Sequence, residues 1–551
     1  MSDLAVSRPQ KSGLRAFAPA LLLTGLGLLM ALMETFFPTI VGLAFPAEDI
    51  FLLGIGLLVL LVVLWTPDGA ASIGTVRGWR MPTVIGLAFG GCLVAGLVGK
   101  VGWPNSGDEY SYLFLADLLL RGQITAAPPP DPVLFEQFHL LVHGGRLFSP
   151  YAPGWSMLLA PFRAVGAEIL INPLLTVLLG LTLAGTLARL GIASATRGAA
   201  VALVLLVPFT LFLGGSLFPQ TVAAATIVGI VWLQLGDEAA PGRWRKLAIG
   251  AAFGLLLITR QDVLAVAAVP YAIDRLVVRK AGVVADAAWM ALGFLPFVVL
   301  QLAYDTALTG DPLMPPAIWA GSDALTAPTL SLARRLGMAA VQDLQFTGTL
   351  AQFGGLPVAA LALLGLAARI RARTCRFWDF LLPAAILFYS FIPFSGGHQY
   401  GPRYWFWAWP VCVLSVVTAL VDANGTLRIG SRRLRFEHFV ACCLIAATAS
   451  FIGLLVTTRA YMTARQAVFA DVPQRTPAVV LLPDRWLALW PWQIAAPASS
   501  LDFTRNDMFY SNPILYGRDD VDGALDRACR LPGRQVYRWI AVGQLEPLVC
   551  P

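Results

Sequence analysis

Apolar residues in this chain neither alternate with polar ones nor keep to one side of a helix. They come in uninterrupted runs separated by short polar breaks. Runs of about 17–25 such residues cross a hydrocarbon layer as helices. The pattern predicts thirteen spans, at residues 15–33, 49–66, 82–101, 168–188, 198–213, 219–235, 246–259, 262–277, 285–304, 355–370, 377–393, 404–421 and 438–458. The stretch 150–165 is apolar too, but it is short and broken by Pro150, Pro153 and Pro161. It reads as a helix lying at the membrane interface.

Composition agrees with a membrane bundle. Of 551 residues, 57% are hydrophobic and 13% charged, against about 25% charged in soluble domains. The mean hydropathy is +0.71. The net charge of +7 does not point to nucleic acid, because Lys and Arg sit in short clusters between the runs, where they orient spans. With the N-terminus inside, the inner segments hold twenty-one Lys and Arg, against seven in the outer loops ahead of the tail. Counting 150–165 as a span would reverse this balance. The first run follows Lys11 and Arg15 without a small-residue cleavage pattern, so it reads as a retained anchor.

The expected organisation is an all-α polytopic membrane bundle with a small extramembrane α/β domain at its C-terminus, in the inner or plasma membrane. Residues 1–101 carry N-terminal spans and 102–167 a first outer loop. Residues 168–458 form the main bundle with an outer loop at 305–354, and 459–551 form the C-terminal domain, outside. Inner loops are short and match no phosphate-cradling P-loop: the run ending Gly99-Lys100 continues with Val101. Chemistry is therefore expected outside, where nucleotide sugars and ATP are absent.

Five cysteines lie in spans or at their inner ends, and no CxxC spacing occurs. Cys529 and Cys550 share the outward tail, so a disulfide between them is expected. Glu136, His139 and His143 have the spacing of a metal face on a helix. Gly144-Gly145 inside the run 138–148 instead reads as a hairpin turn. A divalent metal is left open, and no other cofactor is implied.

The first outer loop opens with NSGDEYSYLFLADLLLRG, residues 105–122. Ser106 and Glu109 have capping-box spacing, so a helix starts there and its apolar face suits the membrane surface. A capping role occupies Glu109 and leaves Asp108 as the carboxylate available to take a proton.

An Asp-Glu pair directly after a span, followed by aromatics and a surface helix, resembles the first outer loop of the GT-C glycosyltransferases. The family 39 group, which includes protein O-mannosyltransferases and bacterial aminoarabinose transferases, is the most similar. SPYAPGWSMLLAP (149–161) looks like its Tyr-Pro-Pro-Gly-Trp stretch, with Ala152 in place of one Pro. LLLITRQDVLAVAAVP (255–270) resembles a Thr-Arg-Pro-acid element, with Gln261 for Pro. YDTALTGDPLMPP (304–316) and GGHQYGPRYWFWAWP (396–410) follow in the same order.

The resemblance implies a GT-C bundle that moves a sugar from a polyprenyl-phosphate donor to an acceptor protein, lipid A or other glycan. Asp108 matches the catalytic acid position and takes the base role, with Glu109 beside it binding acceptor or metal. Tyr151 and Trp155 fall in the loop expected to touch donor or acceptor. The departing phosphate needs cations at the outer membrane edge, where Arg is rare in this chain. Arg260 and Arg403 are the candidates, Arg260 having Asp262 as a nearby alternative partner. His398 and Tyr400 join Arg403 in a polar cluster among glycines. A transporter or flippase would instead place ionisable groups mid-span, where this chain has almost none. A glycan polymerase or ligase shares every feature above.

Overall fold

The computed structural model describes residues 79–551, except for 103, 105, 138, 279–282, 322–335, 338–339, 341–355, 390–396, 399–400, 430–431, 468–476, 483–485, 490–493, 498–504 and 542. The expected spans at 15–33 and 49–66 lie outside the described residues. In chain order, the described α-helices of more than four residues are α1 (Met81–Leu93), α2 (Gly107–Leu120), α3 (Gly154–Ala164), α4 (Ile171–Arg189), α5 (Ser194–Leu205), α6 (Pro208–Gly214) and α7 (Gln220–Ala239). They continue with α8 (Arg243–Thr259), α9 (Gln261–Ile273), α10 (Val283–Thr309), α11 (Leu356–Ala372), α12 (Leu381–Tyr389), α13 (Ala408–Leu420), α14 (Phe436–Ala467) and α15 (Ala524–Cys529).

Among the described residues, five helical stretches are long and apolar enough to cross a membrane: Met81–Gly99, Glu168–Arg189, Gln220–Ala239, Val284–Thr309 and Phe436–Ala467. A sixth is broken. The run expected at 198–213 bends by 61° between α5 and α6, because Pro208 starts a new helix and keeps Val207 extended. The remaining expected spans are shorter helices: α8 has 17 residues, α9 13, α11 17, α12 9 and α13 13. The count of thirteen is thus an expectation from hydropathy rather than a feature of the described fold.

Burial separates central from peripheral helices. α7 is 72% buried over its apolar window, whereas α10 is 17% buried and exposes Leu292, Leu295 and Val299. A helix that is apolar all round sits in a core or faces lipid; α7 does the first and α10 the second.

α1 closes with a π turn at Val94–Gly99, and left-handed Val101 and Gly102 turn the chain into α2. α3 is 11 residues long, about 16 Å at 1.5 Å per residue, too short to span. It lies against α2: Ser156 Oγ donates to Tyr112 O at 2.9 Å, and Arg163 grips Asp117 through Nε at 2.9 Å and Nη2 at 3.2 Å. Between α2 and α3, β1 (Leu141–His143) pairs antiparallel with β2 (Arg146–Phe148). Gly144 and Gly145 both have positive φ, +57° and +70°, the backbone a two-residue hairpin turn requires.

Three further two-stranded ladders lie later in the chain: β3 (Gly397–His398) with β4 (Gly401–Pro402), β5 (Thr426–Ile429) with β6 (Arg432–Arg435), and β8 (Trp486–Leu489) with β9 (Ile494–Pro497). The tail also holds a four-stranded mixed sheet. β7 (Ala478–Leu482) runs parallel to both β10 (Ile514–Arg518) and β11 (Gln535–Ala541), and β12 (Gln544–Leu548) returns antiparallel to β11. Its order is β10-β7-β11-β12, with α15 connecting β10 to β11. Cys529, at the end of α15, is disulfide-bonded to Cys550. Val479, Leu481, Leu515, Ala528 and Val536 form one core of this sheet, and Leu134 and Phe135 of the segment between α2 and β1 are buried in it.

Candidate active site

The N-terminus of α2 sets the site. Ser106 is the N-cap in extended backbone, and its Oγ accepts from Asp108 N at 3.2 Å while donating to Asp108 Oδ2 at 2.8 Å. Ser106 thus caps as expected, but Glu109 does not complete a capping box. The Glu109 carboxylate accepts from Leu217 N at 2.8 Å and lies 3.9 Å from Lys100 Nζ. Consecutive helical residues point about 100° apart, so the two acids face different neighbours. Glu109, at 1% exposure, ties α2 to the turn after α6 and is no part of the Asp108 cluster.

Asp108 is surrounded by donors. Tyr151 OH donates to its Oδ1, and Arg403 Nη2 donates to Oδ2 at 2.9 Å. His139 Nε2 stands 3.9 Å from Oδ2, and His139 Nδ1 is 3.0 Å from the Tyr151 hydroxyl. Because the Tyr151 proton goes to Asp108, His139 must carry its own proton on Nδ1 and donate to the Tyr151 oxygen. Burial alone would raise the Asp108 carboxyl, but Arg403, then His139 and the two hydroxyls, hold it well below the usual carboxylate range. Burial depresses His139 below its ordinary 6.5, with Asp108 pulling it up and Arg403 pushing it down. Burial also works against the charge on Arg403, and Asp108 together with Tyr404, Tyr151 and Tyr112 more than restores it.

Arg403 leads a 3₁₀ turn, Arg403–Trp405, directly after the β3–β4 hairpin. Its guanidinium lies 4.6 Å from the Phe218 ring centre and 5.5 Å from that of Tyr404. Arg260, in the break between α8 and α9, lies 5.1 Å from the same Tyr404 ring. Two arginines distant in sequence therefore share one aromatic ring. Arg260 is also paired with Asp262, through Nε to Oδ1 at 2.9 Å, and Tyr389 OH donates to Asp262 Oδ2 at 2.9 Å. The Asp262 alternative seen in the sequence is thus realised, but the pair stands beside the Arg403 site.

Of the other expected site residues, Tyr151 is in the cluster. Trp155 is not: its side chain is fully buried and its Nε1 donates to Leu217 O at 2.7 Å, so it packs α3 into the bundle. His398 is placed by its backbone in β3, one hairpin away from Arg403, and Tyr400 lies outside the described residues. The three residues of the metal spacing are dispersed. His139 serves Tyr151, His143 packs on Trp319 with ring centres 4.3 Å apart, and Glu136 pairs with Arg518. No group of three or more His, Cys, Asp or Glu suited to a metal ion occurs among the described residues.

Sequence reasoning missed Tyr112, whose ring lies tilted against that of Tyr151 with centres 4.7 Å apart, and the shared ring of Tyr404. Tyr112 was accessible, since it lies four residues after Asp108 on the same helical face. Tyr404 carried no signal beyond its position next to Arg403.

No protein-family model matches the chain, and no curated protein matches it. Among solved structures, the fold is similar to that of ArnT from Cupriavidus metallidurans bound to undecaprenyl phosphate. The two are 14% identical, with 83% of this chain and 92% of that one covered at a TM-score of 0.50. The archaeal oligosaccharyltransferase AglB from Archaeoglobus fulgidus, in complex with an inhibitory peptide and a dolichol-phosphate, aligns over 83% of this chain and 69% of its own. Its identity is 11% and its TM-score 0.44. At these identities the likeness concerns architecture and not chemistry. Within that limit, the chain has the fold of the GT-C membrane glycosyltransferases.

Proposed function

We propose that the chain is an inverting glycosyltransferase of the inner or plasma membrane. It moves a sugar from a polyprenyl-phosphate donor to a hydroxyl or amine of an acceptor on the outer face. The order of the sequence motifs favours the family 39 branch of GT-C enzymes. Residues 102–167, 305–354 and 459–551 are then the outward parts, a placement that the Cys529–Cys550 disulfide supports.

The observation that carries this reading is the contact between Asp108 and Arg403 beside Tyr404, which Arg260 also touches. A base and two phosphate-binding cations stand in one cluster. As it stands, Asp108 is a weak base, because three donors satisfy it. A donor phosphate would compete for Arg403, and each step of that guanidinium away from Asp108 raises the carboxylate's basicity. The acceptor proton then passes to Asp108 while the acceptor oxygen or nitrogen attacks the anomeric carbon. The bond from that carbon to the phosphate oxygen breaks, and polyprenyl phosphate leaves as an anion held by Arg403 and Arg260. Tyr151 and His139 keep Asp108 oriented. Treatment with a chelator would read whether a divalent ion adds to this positive charge.

The acceptor class, whether protein, lipid A or another glycan, is open to assay. The purified protein in nanodiscs would be given labelled polyprenyl-phosphate sugars with each acceptor class, and transfer followed by mass spectrometry. Appearance of free polyprenyl phosphate together with glycosylated acceptor supports the proposal. Movement of the intact lipid-linked sugar across a bilayer without bond cleavage would replace it with a flippase. Extension of a lipid-linked glycan would make the enzyme a polymerase or ligase.

A further inference from the structure

Three residues of the first outer loop belong structurally to the C-terminal sheet. Leu134 and Phe135 are buried in its core with Val479, Leu481, Tyr510 and Leu515. The backbone is stitched in as well, since Arg518 N donates to Leu134 O at 2.9 Å. Gly517 makes the room: a Cβ there would lie 2.9 Å from Leu134 Cγ. Asp131 starts this segment by accepting from Val133 N and Leu134 N at 3.0 and 2.9 Å, and Arg527 of α15 binds both of its carboxylate oxygens at 3.1 and 3.0 Å. Glu136 adds a pair to Arg518, but it is 62% exposed and contributes little.

Four residues beyond Phe135 stands His139. A chain advances at most about 3.5 Å per residue, so the anchor and His139 cannot separate by more than roughly 14 Å. His139 meets the other end of the connection tightly. A Cβ on Gly107 would lie 2.5 Å from His139 Cδ2, so the imidazole rests on the first turn of α2, beside Asp108. Its Nδ1 faces the Tyr151 hydroxyl that donates to Asp108.

We infer that the C-terminal sheet is a positioning element of the active site, holding His139 through the segment Asp131–His139 and so orienting Tyr151 and Asp108. This rests on the reading of Asp108 given above. His139 acts here as a positioning residue and takes no proton from the acceptor. The physical reason is the length of the lever: a sheet core fixes Phe135, α2 fixes the ring, and only three residues lie between them.

The test uses the full chain in nanodiscs with two variants distant from the reacting groups, Phe135→Ala in the sheet core and Arg527→Gln on its surface. Diethyl pyrocarbonate labels histidines, and peptide mass spectrometry separates His139 from His438. The expected result is about fivefold faster labelling of His139 in either variant with His438 unchanged, as local opening frees the ring. Transfer should fall about tenfold in Arg527→Gln, and the same change should have no further effect in a His139→Asn background, because coupled residues are non-additive. Unchanged His139 labelling overturns the inference, and so does an additive loss of transfer. If Phe135→Ala unfolds the sheet, Arg527→Gln decides. Absence of transfer by the wild-type protein with any donor defeats the proposed function, while labelling still decides whether the sheet holds His139.

Discussion

Arg403 and Asp108, 295 residues apart in the chain, meet through a 2.9 Å hydrogen bond from Nη2 to Oδ2. Each makes the other tolerable in a buried place, since an unpaired buried charge is strongly unfavourable. The pair also joins the two halves of the proposed reaction. It holds the cation for a phosphate against the base for an acceptor until a donor separates them.

Asp108→Asn removes the proton acceptor while keeping size. Transfer should fall by about 10²–10⁴-fold. Donor binding should persist or tighten, because the amide competes less with phosphate for Arg403. Binding of labelled polyprenyl phosphate and transfer would be measured separately, and full activity in this variant would defeat the base assignment.

Arg403→Ala should weaken donor binding and turnover together, since the phosphate is charged before the reaction as well as during it. Arg403→Lys should recover part of the binding. It should recover less of the rate, because a point charge on a flexible stem lacks the planar fork. Equal donor affinity in wild type and Arg403→Ala would move the phosphate site elsewhere.

Glu109→Gln tests the other acid. The amide can still accept from Leu217 N, but Lys100 loses its opposing charge. The expected effect is a loss of stability, roughly 1–3 kcal/mol in thermal unfolding, with turnover nearly unchanged in folded protein. A collapse of turnover at unaltered stability would assign catalysis to Glu109 instead.

Acid should inhibit through His139. The groups facing it are Asp108, Arg403 and Tyr151. Its folded value lies below the ordinary 6.5, so the unfolded chain takes this proton first. Stability contributed by neutral His139 is therefore complete above about 6.5 and is lost as pH falls towards the folded value. Transfer should show an acid limb below that pH, as imidazolium forms beside Asp108. His139→Asn should abolish the limb, and an unaltered pH profile in that variant would exclude the assignment.

Reducing the Cys529–Cys550 bridge should destabilise the C-terminal sheet. A loop of 21 residues corresponds to about 3 kcal/mol in the chain-entropy account. Limited proteolysis with and without reductant reads this. Thiol labelling of intact unreduced protein should find neither cysteine, and a reporter fused to the C-terminus should register outside.

Particular residues show how far the sequence carried. Gly144-Gly145 announced a hairpin, because few residues other than glycine accept two successive positive φ angles. Ser106 announced the start of α2; both signals are local. The pairing of Cys529 with Cys550 followed from compartment logic. The burial of Trp155 was not legible, because its motif says nothing about which way an indole points. Glu109 misled because a capping box and a tie to Leu217 look alike until the turn after α6 is placed.

Legible in the sequence alone were the apolar runs of a membrane protein, the gathering of ionisable residues between them, and the choice of Asp108 and Arg403 as candidates. Those follow from charge cost in lipid and from the short range of backbone preferences. Only the tertiary structure decided that Arg403 is bound to Asp108 itself, that Arg260 shares the ring of Tyr404, and that Leu134 and Phe135 lie in the core of a sheet formed hundreds of residues later. Such contacts depend on how helices and strands pack, and packing sums many weak, long-range terms that no local pattern records.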